Sequence, residues 1–184
     1  KKNKISKNWL NKHRKDTFVR QSKIDGYRAR SAYKLIEINE KFKVFKSKMC
    51  VVDLGASPGS WSQYVSKIVK SGKIISVDLK DMKEIKNTIQ IKGDFTNNEI
   101  KEKIKNCIEK RSDVVMSDMA VNTTGIKDLD SIQTGELCKD AMTFSKEIIS
   151  SNGFFISKIF MGVTFNEIVA LGKKIFSEVK VFKP

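Results

Sequence analysis

With 40% hydrophobic and 31% charged residues, the 184-residue sequence has the composition of a globular protein. No apolar run approaches the roughly 18 residues that a membrane span requires, so we expect no leader peptide, no membrane partner and a cytoplasmic location, with an organellar one left open. Lysine and arginine number 36 against 21 acidic residues, and this formal charge of +15 favours an anionic partner.

The cysteines and the single histidine predict no metal site. Cys50, Cys107 and Cys138 lie far apart and match no metal-ligand or redox spacing. His13 adds only one more soft ligand, which is too few for zinc. We therefore expect reduced thiols, as in a cytosolic protein, and no metal.

Much of the positive charge lies in the first 30 residues, where eleven basic and two acidic residues give +9 of the +15. The basic residues are Lys1, Lys2, Lys4, Lys7, Lys12, Arg14, Lys15, Arg20, Lys23, Arg28 and Arg30, with Trp9, Phe18 and Tyr27 among them. Basic residues interleaved with aromatic ones are typical of nucleic-acid binding; the alternatives are a solvated tail or contact with an anionic membrane. No clean amphipathic stripe supports the membrane alternative. We predict a basic arm over residues 1–30 and a single domain over residues 31–184.

From residue 27 onward, predicted helices alternate with predicted strands. The helices span residues 27–42, 59–70, 97–110, 131–150 and 165–176. The strands span residues 49–55, 73–79, 88–95, 112–120, 153–160 and 177–182. Strands separated by helices connect through right-handed crossovers into a mostly parallel sheet. The predicted class is α/β, a Rossmann-like doubly wound sheet in three α/β/α layers.

The loop "DLGASPGSW" (53–61) follows the first predicted strand, where sheets of this class bind ligands. Gly55 and Gly59 allow the backbone to approach a ligand closely. The loop lacks the dinucleotide pattern G-x-G-x-x-G, and Pro58 has no amide hydrogen for a phosphate. A nucleoside with a short charged tail, such as S-adenosylmethionine, suits this loop better than a dinucleotide.

Two aspartates extend the predicted cofactor site. Asp78 ends the second strand, where its carboxylate could accept both ribose hydroxyls. Asp94 follows the third strand, where it could accept from an adenine amino group. With the glycine loop, their order and spacing predict an S-adenosylmethionine site. The alternative is that Asp53, Asp78 and Asp94 are only polar strand ends.

The predicted strand "GFFISKIF" (153–160) carries Lys158 near its centre. Lysine is rarely buried without a partner. Either this is an edge strand with one face in water, or Lys158 is held there for chemistry.

Four stretches, "RARSAYKL", "VVDLGASPGSWSQYV", "VVMSDMA" and "SKIFMG", resemble the FtsJ-type ribosomal RNA large subunit methyltransferases, the methyltransferase E group. The resemblance runs from about Trp9 to Pro184. It implies a class I S-adenosylmethionine-dependent methyltransferase domain over residues 31–184 and an RNA-binding arm before it. It also implies methyl transfer to the 2′-hydroxyl of a uridine ribose in large-subunit (23S-type) ribosomal RNA, and we expect a monomer acting on the large ribosomal subunit.

The resemblance further implies roles for individual residues. Of the family's catalytic lysine, aspartate, lysine and glutamate, the first three correspond to Lys34, Asp118 and Lys158. The glutamate has no counterpart before the sequence ends, so we expect the natural protein to continue. The cofactor contacts of the family correspond to Gly59, Trp61, Asp78, Asp94 and Asp118.

The chemistry of the reaction agrees with a role for Lys158. A ribose hydroxyl must lose its proton as it attacks a methyl group, and an amine accepts that proton only if its pKa lies well below the ~10.4 of free lysine. Desolvation and a second nearby cation both lower an amine's pKa. We predict Lys158 as the base, with Lys34 and Asp118 positioning it and the substrate. The alternatives are that Lys34 is a solvated helix lysine and Lys158 an edge-strand residue.

Three other functions stay open from the sequence. The chain could methylate transfer RNA or another RNA by the same chemistry. It could be an RNA-binding relative without catalysis, which the missing glutamate leaves open. It could methylate a protein or a small molecule, which the basic arm disfavours.

Overall fold

The computed structural model describes residues 16–119 and 126–183, with a five-stranded parallel sheet at their centre. The strands are β1 (Cys50–Leu54), β2 (Lys73–Asp78), β3 (Thr88–Lys92), β4 (Ser112–Ser117) and β5 (Ile149–Ser157). Their order is β3-β2-β1-β4-β5, and every neighbouring pair is parallel. The strand order reverses between β1 and β4, and sheets of this kind bind ligands at the carboxyl edge beside such a point.

Helices cover both faces of this sheet. They are α1 (Thr17–Ile24), α2 (Ser31–Phe42), α3 (Ser60–Ser66), α4 (Asn98–Ile108), α5 (Lys127–Ile148) and α6 (Phe165–Ile175). Within the described ranges, none of them is long and apolar enough to cross a membrane.

The residues of the central strands alternate between two buried cores. On one face, β1, β2 and β4 pack against α4 and α5; the buried members are Val52, Leu54, Ile75, Val77, Phe95, Ile100, Ile104, Ile108, Val115, Ala141, Phe144 and Ile148. On the other face the same strands pack against α2 and α3; the buried members are Leu35, Val44, Phe45, Val51, Trp61, Val65, Val69, Ile74, Val114 and Met116. Because both faces are covered, these strands are nearly continuous apolar runs.

The predicted three-layer α/β/α class is confirmed, and five of the six predicted strands are present. The prediction of a last strand over 177–182 is wrong, since residues 177–183 form no strand. Side-chain packing holds this segment in place instead. The ring of Phe182 lies edge-on against Phe42 with centroids 5.8 Å apart, and Val179 lies beside Gly172.

The basic arm contains helix α1, which the hydrophobic pattern does not predict. Asp16 caps its start, because one carboxylate oxygen accepts from the amides of Phe18 and Val19 at 3.0 and 3.3 Å. Val19 and Ser22 are buried. Residues 1–15 of the predicted arm lie outside the described residues.

Candidate active site

Four aspartates lie at the carboxyl edge of the sheet, one from each of four strands. Asp53 is the fourth residue of β1, Asp78 ends β2, Asp94 follows β3, and Asp118 directly follows β4. Parallel strands bring their carboxyl ends to one edge. Lys158, directly after β5, adds an amine to this edge.

An ion pair joins Lys158 to Asp118. Lys158 Nζ lies 2.7 Å from Asp118 Oδ1 and also donates to the backbone carbonyl of Asp118 at 3.0 Å. The backbone amide of Lys158 donates to the Ser117 carbonyl at 2.9 Å, which aligns the ends of β4 and β5. The two side chains are only 22% and 18% exposed, so water screens this pair less than a surface pair.

Of the two interpretations of the lysine in "GFFISKIF", the edge strand is confirmed within the described sheet, and the role in chemistry stays a prediction. β5 is the edge of the described sheet, and its side chains are mostly half-buried or exposed. Lys158, however, follows the end of β5 rather than lying at its centre. Its amine contacts an acid from the neighbouring strand end. β5 is therefore an edge strand, and the residue that directly follows it, Lys158, is paired with the carboxylate of Asp118.

Lys34 reaches the same region from α2. It lines a cavity of about 1270 Å³ whose walls also include Trp61 and Lys158. Lys34 is exposed, and among the described contacts no hydrogen bond or ion pair joins it to Lys158 or Asp118. The structure thus places two amines on one cavity and pairs one of them with the acid.

The loop between β1 and α3 needs glycine at two positions. Gly55 and Gly59 have φ angles of +72° and +101°, in the left-handed region. The Gly55 amide donates to the Val77 carbonyl at 2.9 Å and ties the loop to β2. A Cβ at Gly59 would lie 2.8 Å from both Arg28 Nη1 and Ile85 Cδ1, so a larger residue does not fit without displacement.

Asp78 organises this loop from the end of β2. Its Oδ2 accepts from the Ser57 amide at 2.9 Å, and its Oδ1 accepts from the Lys80 amide at 2.8 Å. A carboxylate oxygen can accept more than one hydrogen bond. Asp78 can therefore hold the loop and still accept from a ligand hydroxyl.

The other two predicted cofactor contacts have partners within the protein. Asp94 Oδ1 accepts from the amide and the hydroxyl of Thr96 at 2.9 and 2.7 Å. Trp61 is 4% exposed, and its indole nitrogen donates to the Ser31 carbonyl at 2.9 Å. The Trp61 side chain is thus mainly a core residue that ties α3 to α2.

Asp53 is a fully buried acid that the sequence motifs do not assign to the site. Its Oδ2 accepts from Ser62 Oγ at 2.6 Å, Ser62 Oγ lies 2.6 Å from Ser76 Oγ, and Oδ1 has no described partner. Burial above all, with smaller contributions from Asp118 and Asp78, raises the pKa of Asp53 to about 7 against the effect of the Ser62 hydrogen bond. Its position as the first residue of "DLGASPGSW", two residues before Gly55, is the sequence signal that could have indicated it.

Arg28 is a second residue whose place the sequence does not indicate. By its sequence position it belongs to the basic residues of the predicted arm. In the structure its guanidinium donates to the carbonyls of Pro58, Lys83 and Glu84, so it contacts the glycine loop. Composition alone cannot separate such an arginine from one that faces a partner.

Comparison with known proteins agrees with the family that the motifs indicate. The FtsJ-like methyltransferase family model matches residues 27–184. The chain belongs to this family. This FtsJ-like methyltransferase therefore has the class I S-adenosylmethionine-dependent fold that the resemblance implies.

Individual relatives match over most of the FtsJ-like chain. A Pelagibacter ubique protein named ribosomal RNA large subunit methyltransferase E is 69% identical over 184 residues, which cover 100% of this chain and 91% of the relative. A Rickettsia bellii protein of the same name is 44% identical, covering 97% and 82% of the two chains. A solved Plasmodium falciparum structure, described as a ribosomal RNA methyltransferase, is 31% identical with a TM-score of 0.79, covering 85% and 91%.

The carboxyl edge of this FtsJ-like methyltransferase suits S-adenosylmethionine chemically. That cofactor carries a positive sulfur, an ammonium group and two ribose hydroxyls. Hydrogen-bond acceptors and negatively charged side chains therefore favour its binding. The edge supplies the carboxylates of Asp78, Asp94 and Asp118, none of which is buried, and behind them one carboxyl oxygen of the fully buried Asp53 has no described partner. The residues present therefore fit the cofactor that the fold implies.

Proposed function

We propose that this chain transfers a methyl group from S-adenosylmethionine to the 2′-hydroxyl of a uridine ribose in large-subunit ribosomal RNA, acting as a monomer. The observation that carries the proposal is the contact between Lys158 and Asp118. The Lys158 amine lies at the carboxyl edge of the sheet, where the glycine loop and the aspartates also lie. The names of the Pelagibacter ubique and Rickettsia bellii relatives support the ribosomal RNA substrate.

Lys158 is the proposed base. When bound, S-adenosylmethionine supplies a methyl group on a positive sulfur, and the group that departs is a neutral thioether. Lys158 Nζ takes the proton of the ribose hydroxyl as the oxygen–carbon bond forms, which requires its unprotonated form. Asp118 fixes the nitrogen through its two contacts with Nζ. A held amine reacts faster than a freely rotating one, because its orientation is set before reaction.

Other residues hold the reactants in this proposal. Lys34 places a positive charge on the wall of the cavity that Lys158 also lines, where it can bind a phosphate beside the target ribose. Asp78 accepts from the cofactor ribose, and Asp94 from the adenine amino group. Gly59 and the backbone of Trp61 contact the cofactor in this proposal.

The basic arm over residues 1–30 is the proposed RNA-binding element. In its described part, Arg20 and Lys23 are exposed and have no described carboxylate partner, so both are free to contact phosphates. Arg30 instead forms an ion pair with Asp16. Residues 1–15 belong to this proposal by their charge alone.

Methyl transfer to defined RNA tests the proposal. The protein is incubated with methyl-labelled S-adenosylmethionine and large ribosomal subunits that lack the modification, with transfer RNA as the comparison and Lys158→Ala as the inactive control. Label that survives alkaline hydrolysis of ribosomal RNA as a ribose-methylated dinucleotide is the expected result. Label in transfer RNA alone would show that transfer RNA, and not ribosomal RNA, is the substrate. Cofactor binding without label in any RNA would contradict the proposed reaction.

A further inference from the structure

Arg28 joins three separate parts of the chain. It lies in the segment between α1 and α2. Its Nη1 donates to the carbonyl of Pro58 at 3.1 Å and to that of Lys83 at 2.8 Å, and its Nη2 donates to the carbonyl of Glu84 at 2.8 Å. Its backbone amide donates to Gln63 Oε1 at 3.1 Å. One residue thus bonds the glycine loop, α3 and the long connection between β2 and β3.

The two loops that Arg28 bridges flank the proposed cofactor site. The glycine loop follows β1, and the connection over residues 79–87 follows Asp78 at the end of β2. Ile85 in that connection is buried, and it lies near enough to Gly59 that a Cβ there would collide with it. Arg28 Nη1 lies at the same 2.8 Å from this Cβ position. The separation of the two loops therefore depends on the guanidinium between them.

The hydrogen bonds of Arg28 argue against a direct role in RNA binding. A guanidinium has five N–H donors, and three of those of Arg28 already reach backbone carbonyls. A phosphate could take these three donors only if the carbonyls of Pro58, Lys83 and Glu84 lost them, which would release the glycine loop from residues 83 and 84. Arg20, eight residues earlier, is exposed, and no such contact joins it to the part of the chain that the structure describes. The two arginines of one basic segment therefore differ in function.

We propose that Arg28 is a positioning residue for the cofactor, which it serves by fixing the glycine loop against residues 83–85. Its planar fork spans carbonyls on both loops, a geometry that a lysine ammonium does not reproduce. This holds Gly59 and Asp78 at the spacing that the bound nucleoside requires. The inference rests on the proposed cofactor site.

Binding measurements on matched variants test this role. Arg28→Gln removes the bridge, Arg28→Lys keeps the charge without the fork, and Arg20→Gln removes an arginine of the same segment that lacks the loop contacts. S-adenosylmethionine and S-adenosylhomocysteine affinities are measured by calorimetry. RNA affinity is measured on a large-subunit RNA fragment at several salt concentrations, and thermal unfolding of each variant is recorded.

Arg28→Gln should weaken cofactor binding by about tenfold or more, since hydrogen bonds from a charged donor are lost. KM for S-adenosylmethionine should rise while kcat at saturating cofactor stays close to that of the wild type. RNA affinity and its salt dependence should not change. Arg28→Lys should lose at least about threefold in cofactor affinity. Arg20→Gln should show the opposite pattern, with wild-type cofactor affinity and a shallower salt dependence of RNA binding.

Three results would decide against this role for Arg28. Wild-type cofactor affinity in Arg28→Gln would overturn it, as would a loss of RNA affinity in place of cofactor affinity. If Arg28→Gln does not fold, Arg28→Lys decides, and wild-type cofactor affinity in that variant would overturn the inference. A wild-type protein that binds no S-adenosylmethionine would instead contradict the proposed function, so the two failures are distinguishable.

Discussion

Lys158 Nζ contacts both a carboxylate oxygen and the backbone carbonyl of Asp118. The residue after β5 is thus held by the residue after β4. Because β4 and β5 are parallel neighbours, a shift of one strand by a single residue would separate the two side chains. The register of the sheet therefore determines the geometry of the proposed catalytic pair.

Replacing Lys158 should reduce methyl transfer strongly without reducing the affinity for the cofactor. Methyl transfer by Lys158→Ala should fall by about 10²–10⁴-fold, the usual contribution of a positioned base, while S-adenosylmethionine affinity stays close to that of the wild type. Lys180→Ala is the control, since Lys180 lines the same cavity but pairs with Glu178 at 3.0 Å. Single-turnover transfer and calorimetry measure the two effects. Full activity in Lys158→Ala would exclude Lys158 as the base.

The fold was predictable from the sequence where burial imposes a simple pattern. β1, β2 and β4 are covered on both faces, so they are apolar runs that no surface helix would show. The sequence over 177–182 alternates as a strand does. In the structure Phe182 packs on Phe42, and the segment forms no strand. Val181 of this segment is exposed, and Val179 and Phe182 are only half-buried, so a periodic pattern establishes neither burial nor a backbone partner.

The proposed site was predictable where strand ends determine position. Asp78 ends β2, and Asp118 and Lys158 directly follow β4 and β5, so their position at one edge follows from the parallel sheet. The bridge made by Arg28 was not predictable, because it depends on carbonyls that every residue has. The same holds for the hydrogen bonds of Asp53 with Ser62, which depend on how α3 packs under the loop.

Asp78 should matter for cofactor binding more than for folding. Asp78→Ala removes the acceptor for the Ser57 and Lys80 amides as well as the proposed ribose acceptor, so cofactor affinity should fall by more than tenfold. Asp78→Asn keeps one carbonyl oxygen and should lose less. The control is Asp81→Ala, because Asp81 lies on the same connection and makes an exposed ion pair with Lys92 at 2.5 Å. Calorimetry decides, and unchanged affinity in Asp78→Ala would contradict its assignment to the ribose.

Asp53 should make stability depend on pH. Burial raises its pKa from the ordinary 3.8 to about 7 in the folded state, so between these values the folded protein keeps a proton that the unfolded chain has lost. The free energy of unfolding contributed by this group is therefore largest below pH 3.8 and falls as pH rises to 7, by at most about 1.4 kcal/mol for each pH unit.

Asp53→Asn tests this dependence, because an amide of the same shape cannot ionise. Relative to the wild type, the variant should gain stability between pH 5 and pH 8. Urea unfolding at four pH values in this range gives the two curves. Ser62→Ala is a useful comparison, since it removes the hydrogen bond that favours the ionised form and should therefore extend the fall in stability to higher pH without changing its limiting slope. Parallel curves for Asp53→Asn and the wild type would show that Asp53 does not titrate in this window.

A side chain at Gly59 should reduce cofactor affinity as well as stability, because it would both strain the backbone and crowd the glycine loop. The φ of +101° alone should cost about 1–3 kcal/mol for Gly59→Ala, and the new Cβ would also lie 2.8 Å from Arg28 Nη1 and Ile85 Cδ1. Gly26→Ala is the matched control: its φ is +72°, and a Cβ there would meet nothing within 4 Å. Both variants should lose stability in urea unfolding, but only Gly59→Ala should lose S-adenosylmethionine affinity. Equal cofactor affinity in the two variants would show that crowding between the loops does not control the cofactor site.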